Sequence, residues 1–437
     1  MNSFKISVIA LTGLCFTFLG NALAQSPALP VIPTNTFNVI QYGAVGDGKT
    51  MNTAAIQKTI DAVSAAGGGI VLIPEGKFLT GPFKLASRIN LHLDSGAFIL
   101  ISDDMKHYPM TSERYQDCIT VAAAHDIEIS GQGTIDGQGK AWWTAFRANK
   151  SMTHRPYMIK LSNCSRVYVH GVTLVNSPMF HLVPQDCTDV TIRGITIKAT
   201  IPSPNTDGID PSGWNYLITD CMIDTGDDNI AVKPGHSFSP GNKNYTITNC
   251  KFLHGHGMSI GSATDGGIEN LRVSNCFFDS TDAGIRIKTL RGRGGLLQNL
   301  TYENLTMKAV KYPIRIIDYY PERTAPKDPS TEKAEPVTDS TPINKNITIR
   351  NVTATDCPTA GTIWGLPEAP ITDVTLSNRP DFRFVCLTRP EEKLNDKKEP
   401  GLSHTETKRT GLIESSLSRA IQMCLLSSAS LVVYPDS

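Results

Sequence analysis

The sequence predicts an all-β solenoid, a single-stranded right-handed parallel β-helix with a short N-terminal capping helix. Three observations predict it: a short strand motif recurs every 23 to 29 residues, β-branched residues are common within each unit, and helical periodicity is rare after the first glycine cluster. A unit of this length buries its apolar face only by stacking on its neighbours. A leucine-rich horseshoe is the alternative, but its frame of leucine and asparagine is absent.

The capping helix is predicted to begin at Asn52 or Thr53. Ile56, Ile60 and Val63 follow at helical spacing, and three consecutive glycines then end the segment. Beyond these glycines the chain reads as short alternating strands separated by turns. The helix therefore covers the first coil of the solenoid.

Six copies of the strand motif align in the middle of the chain, each preceded by a small or amide-bearing residue. They begin at Val172, Ile195, Cys221, Cys250, Cys276 and Leu305. A further copy at Val352 follows an insertion rich in Pro, Lys, Glu and Asp between about residues 321 and 343. Stacked about 4.8 Å apart, the three cysteines form one interior column of buried, reduced side chains. A disulfide or metal set is the alternative, but C-x-x-C spacing is absent.

The two ends of the chain depart from the repeat. Residues 1–24 are typical of a signal peptide, since Lys5 precedes an apolar run of 15 residues and small residues end the segment. We therefore expect a secreted protein, extracellular or periplasmic, in which a linker at 25–35 leads to a β-helix domain at 36–378. Residues 379–437 form an atypical tail, for which a frameshifted or replaced terminus and a helical cap are both open.

The charge balance limits the partners of the protein. Its 41 basic and 41 acidic side chains cancel, which removes any argument from net charge for nucleic acid or an acidic membrane. Nothing after the signal peptide is long and apolar enough to span a bilayer. We expect no nucleic-acid or membrane partner, a monomer, and no metal or other cofactor.

Polar clusters interrupt four consecutive units of the repeat. They are Asn205-Thr206-Asp207-Gly208-Ile209-Asp210, Gly226-Asp227-Asp228-Asn229, Gly255-His256-Gly257 and Arg286-Ile287-Lys288. Each cluster follows its own strand motif, by 12, 7, 6 and 10 residues in turn, so we expect the clusters to stack on one side of the solenoid.

The stacked carboxylates point to acid–base chemistry. Asp207, Asp227 and Asp228 on adjacent units repel one another, which raises the proton affinity of at least one of them. One carboxyl then acts as an acid while another activates water, as glycoside hydrolysis requires. His256 lies between two glycines and is expected to tune the acid or to hold a hydroxyl. The alternative is that these aspartates only make turns.

The last cluster indicates the charge of the ligand. Arg286 and Lys288 alternate with isoleucine and so share one strand face, and Arg291 and Arg293 follow in a glycine-rich turn. Four cations beside carboxylates, in a chain without net charge, favour a site for an anionic ligand such as a carboxylate. A solvated strand face with internal salt bridges to the aspartates is the alternative.

In order and spacing, the four clusters resemble the signature motifs of the polygalacturonases, family 28 of the glycoside hydrolases. The resemblance covers about residues 36 to 378. It implies a right-handed parallel β-helix that hydrolyses α-1,4 bonds between galacturonic acid units of pectin and polygalacturonate, with inversion at the anomeric carbon. Endo and exo action both remain open.

The resemblance also implies roles for single residues. Asp228 is the expected general acid, although some accounts of the family assign the proton to the first aspartate of the pair, Asp227. Asp207 and Asp227 are then expected to hold the water, with His256 as an essential neighbour. Asn205 shapes the wall of the cleft. The uronate binds to the remaining residues, which are Arg286, Lys288 and an aromatic at Tyr319 or Tyr320.

Two other functions stay open at this point. A lyase on the same β-helix would abstract a proton, usually with calcium, and release an unsaturated product. A glycan-binding solenoid without catalysis would bind the polymer and leave it intact.

Overall fold

The structure, a computed structural model, covers most of the chain. It describes residues 26–111, 114–149, 154–236, 238–321, 332–377, 384–386 and 431–433. From the N-terminus to the second helix the elements are β1 (Thr36–Asn38), β2 (Asp47–Met51), α1 (Thr53–Ala65), β3 (Gly69–Ile73), β4 (Gly76–Thr80), β5 (Phe83–Lys84), β6 (Ile89–Leu93), β7 (Ala97–Ile101), β8 (Met110–Thr111), β9 (Arg114–Tyr115), β10 (Ile119–Ala122), β11 (His125–Gly131), β12 (Thr134–Asp136) and α2 (Lys140–Ala148).

Beyond α2, the regular elements of the described residues are all strands. The middle of the chain contributes β13 (Ile159–Ser162), β14 (Ser165–His170), β15 (Thr173–Val175), β16 (Leu182–Gln185), β17 (Cys187–Arg193), β18 (Thr196–Lys198), β19 (Gly213–Thr219), β20 (Met222–Asp224), β21 (Ile230–Val232), β22 (Lys243–Thr248), β23 (Lys251–Leu253), β24 (Met258–Gly261), β25 (Ile268–Ser274) and β26 (Phe277–Asp279). The last elements are β27 (Ala283–Lys288), β28 (Leu296–Lys308), β29 (Tyr312–Ile317), β30 (Ile343–Thr355), β31 (Gly361–Trp364), β32 (Thr372–Ser377), β33 (Phe384–Cys386) and β34 (Leu431–Val433).

These strands form three parallel strips along the solenoid, which confirms the predicted parallel β-helix. The first strip runs β1-β3-β6-β11-β14-β17-β19-β22-β25-β28-β30-β32. The second runs β2-β4-β7-β12-β15-β18-β20-β23-β26-β28 and continues into β30. The third strip runs β5-β10-β13-β16, then through the bridging residue Ile209 to β21-β24-β27-β29-β31.

The alignment of strand motifs read from the sequence is the register of the second strip. Thr173 pairs with Thr196, which pairs with Met222, and the column continues through four further rungs in the same alignment. The residue before each motif turns the corner with a left-handed backbone, as at Asp220 (φ 59°) and Asn249 (φ 56°). Small and amide-bearing residues tolerate this conformation best, so the sequence signal and the corner have one cause.

The core is a set of stacked aliphatic columns with one run of cysteines. Cys221, Cys250 and Cys276 are buried and free, as predicted. Each of the three thiols donates to the carbonyl oxygen two residues before it, at 3.2–3.3 Å. Cys424, which the repeat does not accommodate, lies outside the described residues.

The two helices differ in how well the sequence predicts them. Helix α1 has the expected bounds and buries Ile56, Ile60 and Val63 against the first coils. Helix α2 is not predicted, because it has nine residues and its N-cap, a glycine, offers no side-chain hydrogen bond. Its stability comes instead from packing: Trp142 is fully buried, with edge contacts to two tyrosines at 4.9 Å.

Most of the two chain ends lies outside the described residues, and so do the predicted signal peptide and nearly all of the atypical tail. Of that tail the structure describes two short strands. Strand β34 pairs antiparallel with both β31 and β33 and so extends the third strip beyond its last parallel rung. Among the described residues, no helix has the length and apolar character needed to cross a membrane.

Exposed asparagines form hydrogen-bonded ladders along the corners. Asn304 Nδ2 donates to Asn275 Oδ1 and Asn351 Nδ2 to Asn304 Oδ1, each at 3.1 Å.

Replacing Asn304 (φ 54°) with alanine should lower the free energy of unfolding by about 1–2 kcal/mol for the left-handed backbone, plus about 1 kcal/mol for the lost bonds. Glycine at the same position should lower the free energy of unfolding only by the part that comes from the lost hydrogen bonds, because glycine adopts the left-handed backbone without strain. Urea unfolding of both variants tests this, and equal losses would mean that backbone conformation contributes nothing.

Candidate active site

The third strip brings the four polar clusters together. Asp207 precedes the bridging residue Ile209, the pair Asp227 and Asp228 precedes β21, and His256 precedes β24. Backbone hydrogen bonds tie these rungs together, from Gly208 N to Asp228 O (2.9 Å) and onward to the next rung. Arg286 and Lys288 lie within β27, one rung further along.

Asp228 is the most tightly held of the three aspartates. Its Oδ1 accepts hydrogen bonds from Ser259 Oγ (2.8 Å) and Arg286 Nη1 (3.0 Å), and its Oδ2 accepts one from Lys288 Nζ (2.5 Å). Burial alone would raise the pKa of Asp228, but Lys288, Arg286 and Lys233 hold that pKa below its usual range. The carboxyl, 1% exposed, is therefore ionised in the free protein.

Asp227 is paired with His256. Its Oδ1 lies 3.0 Å from His256 Nδ1 and accepts the Asp228 N–H at 2.9 Å. Burial would raise the pKa of Asp227, but the contact with His256 lowers it below the usual value. The same contact raises the pKa of His256 against the effect of burial. The pair therefore keeps one proton, and its carboxylate is 21% exposed, against 1% for Asp228.

Asp207 belongs to a separate group with a lysine that the sequence analysis did not single out. Lys233 Nζ lies 2.6 Å from Asp207 Oδ2 and 2.8 Å from Asp210 Oδ2. One ammonium does not compensate two buried carboxylates, so burial raises the pKa of Asp207, and that of Asp210 to about 6. This group takes up a proton under mildly acidic conditions.

The two candidate tyrosines lie in different environments. Arg286 Cζ is 5.9 Å and Lys288 Nζ is 5.4 Å from the centre of the Tyr320 ring, so Tyr320 borders the site. Tyr319 is buried in a separate apolar cluster against Trp364, and its hydroxyl donates to Glu332 at 2.6 Å. The aromatic that borders the cation pair is therefore Tyr320.

Arg291 and Arg293 do not join the cation pair. Arg291 forms hydrogen bonds with Glu368 and Glu332, both at 2.6 Å, and Arg293 lies 4.0 Å from Asp265. The expectation of four cations at one anion site is thus wrong for two of them, because acidic residues from other loops neutralise them. Sequence spacing alone does not reveal such partners.

One trio among the described residues comes close enough to hold a metal ion. The ligand atoms of Asp227, Asp228 and His256 lie within 4.8 Å of one another. Both oxygens of Asp228, however, already face Arg286 and Lys288. A metal ion would add a third positive centre beside these two, so the charges of the site disfavour one.

Comparison with known proteins identifies the family of the chain. The model of the family described as glycosyl hydrolases family 28 matches residues 67–384. The chain belongs to family 28 of the glycosyl hydrolases.

Individual relatives of this family 28 hydrolase carry related names. A probable polygalacturonase of Vitis vinifera is 33% identical over 367 residues, which cover 78% of this chain and 73% of the relative. A polygalacturonase of Chamaecyparis obtusa is 36% identical over 65% of this chain, and the alignment spans only 56% of that relative. The solved exopolygalacturonase of Thermotoga maritima is 26% identical with a TM-score of 0.68 and covers 81% of this chain and 90% of its own. The solved polygalacturonase of Erwinia carotovora is 28% identical with a TM-score of 0.61, and the match covers 76% of this chain and 95% of that protein.

Three residues of this family 28 site were missed in the sequence. Lys233 follows the strand Ile230-Ala231-Val232. Side chains alternate between the two faces of a strand, so the sequence already indicates that Lys233 and Ala231 point to the same side. Ser259 pairs in register with Arg286, which the spacing of rungs also implies. The third, Arg155, carries no signal, because it lies in a segment without strand pattern.

A buried acid–amide pair joins Asp318, which follows β29, to Asn344 in β30. Asn344 Nδ2 donates to Asp318 Oδ1 at 2.6 Å, while Asp318 Oδ2 and Asn344 Oδ1 have no hydrogen-bond partner among the described residues. Burial raises the pKa of Asp318 well above its usual range. Since burial disfavours the charged form, the carboxyl of Asp318 is neutral in the folded protein and can donate a hydrogen bond.

These shifts predict a stability maximum on the acidic side of neutrality. The raised pKa values of Asp207, Asp210 and Asp318 give stability that is complete below about pH 4 and is lost as pH rises, near pH 6 for Asp210. The lowered pKa values of Asp227 and Asp228 give stability that is lost as pH falls below about 4. Thermal melting across pH should therefore peak between about pH 4 and 6.

A single variant tests the upper limb of this profile. Asp210→Asn keeps the volume but removes the group that titrates near pH 6, so its melting temperature should fall less steeply above that pH. A profile that is unchanged above pH 6 would contradict the assignment.

Proposed function

We propose that this protein hydrolyses α-1,4 bonds between the galacturonate units of polygalacturonate, the backbone of pectin, with inversion at the anomeric carbon. One observation carries the proposal: Arg286 and Lys288, a cation pair suited to a uronate carboxylate, adjoin Asp228 and the neighbouring aspartates. The names of the relatives support it, since those from Chamaecyparis obtusa and Thermotoga maritima are a polygalacturonase and an exopolygalacturonase.

In this reaction we assign the proton donor to Asp227. A general acid must be protonated and must reach the leaving oxygen. Asp228 meets neither condition, since two cations hold it ionised and it is 1% exposed. The pKa of Asp227 is lowered as well, but this carboxylate is 21% exposed and lies 3.0 Å from His256, which holds the proton that Asp227 passes to the leaving oxygen. The geometry thus favours Asp227 over Asp228 as the proton donor, which is the second of the two assignments that the family resemblance left open.

Asp228 is then the carboxylate that activates the water, while Asp207, whose raised pKa favours the protonated form, helps to hold it. In the free protein the two cations weaken the basicity of Asp228. A substrate carboxylate that shares Arg286 and Lys288 reduces their hold on Asp228, so the proton affinity of this aspartate rises when a uronate is bound. The base becomes effective only in the complex.

The test of the function uses the purified protein and polygalacturonate. New reducing ends should form in the presence of a chelator without any rise in ultraviolet absorbance. Proton NMR of the first product should give the anomer opposite to that of the substrate bond. Absorbance that rises with calcium would identify a lyase, and binding without new reducing ends a glycan-binding solenoid.

The same experiment can separate endo from exo action. Relatives with both kinds of name exist, among them an exopolygalacturonase of Zea mays, 31% identical over 79% of this chain and 83% of the relative. Chromatography of the products over time gives monomer or dimer from the start for exo action. Endo action gives a falling ladder of oligomers.

We also infer that the protein is exported. Residues 1–24 carry the basic start, the apolar run and the small residues of a cleavable signal. Expression of the full chain should release into the medium or periplasm a protein whose first residue is Gln25. A product that stays inside the cell with its original N-terminus would contradict this inference.

A further inference from the structure

A buried arginine lies next to the loop that carries Asn205. Arg155 is 1% exposed, and its Nη1 donates to the carbonyl oxygens of Pro178 and Pro204, both at 2.9 Å. Its Nη2 donates to Asn205 Oδ1 at 2.8 Å, and the guanidinium lies 4.2 Å from the centre of the Phe146 ring. Burial lowers the pKa of Arg155 to about 10, so the side chain is a cation at the pH of the reaction.

This contact determines which way the Asn205 amide faces. A guanidinium has N–H donors and no acceptor, so the atom of Asn205 that faces Arg155 must be the carbonyl oxygen. The amide nitrogen then points the other way, and it lies 3.4 Å from Asp227 Oδ2. At this length the contact is weak unless the amide is held in place, and Arg155 holds it.

We propose that Arg155 is a positioning residue, which through Asn205 keeps an N–H donor directed at Asp227 and so stabilises the carboxylate that remains after proton donation. The inference rests on the proposed function only in the role given to Asp227. Without Arg155 the amide is free to rotate and to present its carbonyl oxygen to Asp227. That orientation suits the protonated acid and makes it a weaker donor.

The other charged groups around Asp227 are the same with and without Arg155. His256 contacts its Oδ1, while Asp228 and Lys288 act on it through space. Asp207 acts on it at longer range, and so does the charge of Arg155, which the substitution removes. Loss of Arg155 therefore acts in two ways, through the amide and through the lost charge, and both raise the proton affinity of Asp227.

The loop that carries Asn205 has a second anchor, which supplies a control. Arg147 Nη2 donates to the carbonyl oxygen of Pro202 at 2.5 Å and does not contact the amide. Thr200 is also fixed, by two bonds to Asn176 Oδ1 at 3.1 Å. Arg147→Gln therefore loosens the loop and leaves the orientation of Asn205 unchanged.

The experiment compares Arg155→Met, Arg155→Lys and Arg147→Gln in the pH dependence of kcat/KM on polygalacturonate. Arg155→Met should lower kcat about tenfold, as expected for a lost hydrogen bond to a charged group, with little change in KM. Its basic limb should move to higher pH. Arg155→Lys keeps the charge, so its basic limb should lie between those of wild type and Arg155→Met. Arg147→Gln should have its basic limb at the same pH as wild type. An unmoved limb in Arg155→Met, or an equal shift in Arg147→Gln, would overturn the proposal.

A second measurement tests the proposal if an Arg155 variant does not fold or if polygalacturonate is not cleaved. Asn205→Leu should shift the NMR titration of the His256 imidazole, which reports the Asp227–His256 pair without any turnover. If the wild-type protein does not hydrolyse polygalacturonate, the proposed function fails, while this titration still tests the positioning role. Identical His256 titrations in wild type and Asn205→Leu would overturn that role.

Discussion

Replacing Asp228 with asparagine should reduce turnover on polygalacturonate to about a thousandth of the wild-type value or less, within the range of about 10²–10⁴ for loss of a catalytic acid or base. Asparagine keeps the volume and still accepts from Ser259, and the backbone bonds of the third strip do not involve the side chain. The fold should therefore persist, with a lower melting temperature because Arg286 and Lys288 lose their counter-ion.

The measurement is reducing-end formation by protein whose circular dichroism matches wild type. A substrate with an activated aryl leaving group separates the two aspartates, because a good leaving group needs no proton. Asp227→Asn should recover most of its activity on that substrate, and Asp228→Asn should not. More than a tenth of wild-type turnover in Asp228→Asn on the polymer would disprove a catalytic role for this residue. The opposite pattern of recovery would return the acid to Asp228.

Replacing Lys288 with alanine should weaken the binding of galacturonate oligomers about 10- to 100-fold, as expected for a lost hydrogen bond to a charged group. Lys288 also holds Asp228, so the variant should bind less tightly and show a base of higher proton affinity. Isothermal titration with galacturonate oligomers measures the first effect. The acidic limb of the pH profile measures the second, since it should move to higher pH.

Two controls restrict the interpretation of this result. Lys308→Ala removes an exposed lysine at the end of β28, away from the third strip, and should leave affinity unchanged. Oligomers whose carboxylates have been reduced to alcohols should bind wild type and Lys288→Ala alike. Unchanged affinity for the charged oligomers, or an equal loss for the uncharged ones, would contradict the role of Lys288 as a uronate ligand.

The rungs were predictable because backbone conformation and residue type are directly linked at the corners. Gly171, Asp220 and Asn249 mark corners in the sequence for the same reason that they adopt left-handed φ values. Helix α2 was not predictable in this way. Its nine residues have no capping side chain, and the packing of Trp142 against tyrosines distant in sequence stabilises it.

The members of the site were easier to predict than their partners. Asp207, Asp227 and Asp228 come together because they occupy equivalent places on stacked rungs. Which cation neutralises which carboxylate depends also on contacts between loops, and these are not encoded in strand alternation. Lys233 and Arg291 show both outcomes: the first enters the site from outside the motifs, and the second leaves the expected cation cluster to bind glutamates.

The stacking of rungs also limits how such a site can evolve. Each catalytic or binding cluster occupies its own rung, and neighbouring rungs are held about 4.8 Å apart by backbone bonds. The separation between Asp228 and the strand of Arg286 along the solenoid can therefore change only in whole steps, by gain or loss of an entire repeat. Substrate preference in this architecture is adjusted by exchanging side chains on fixed rungs, since small changes of spacing along the axis are not available to it.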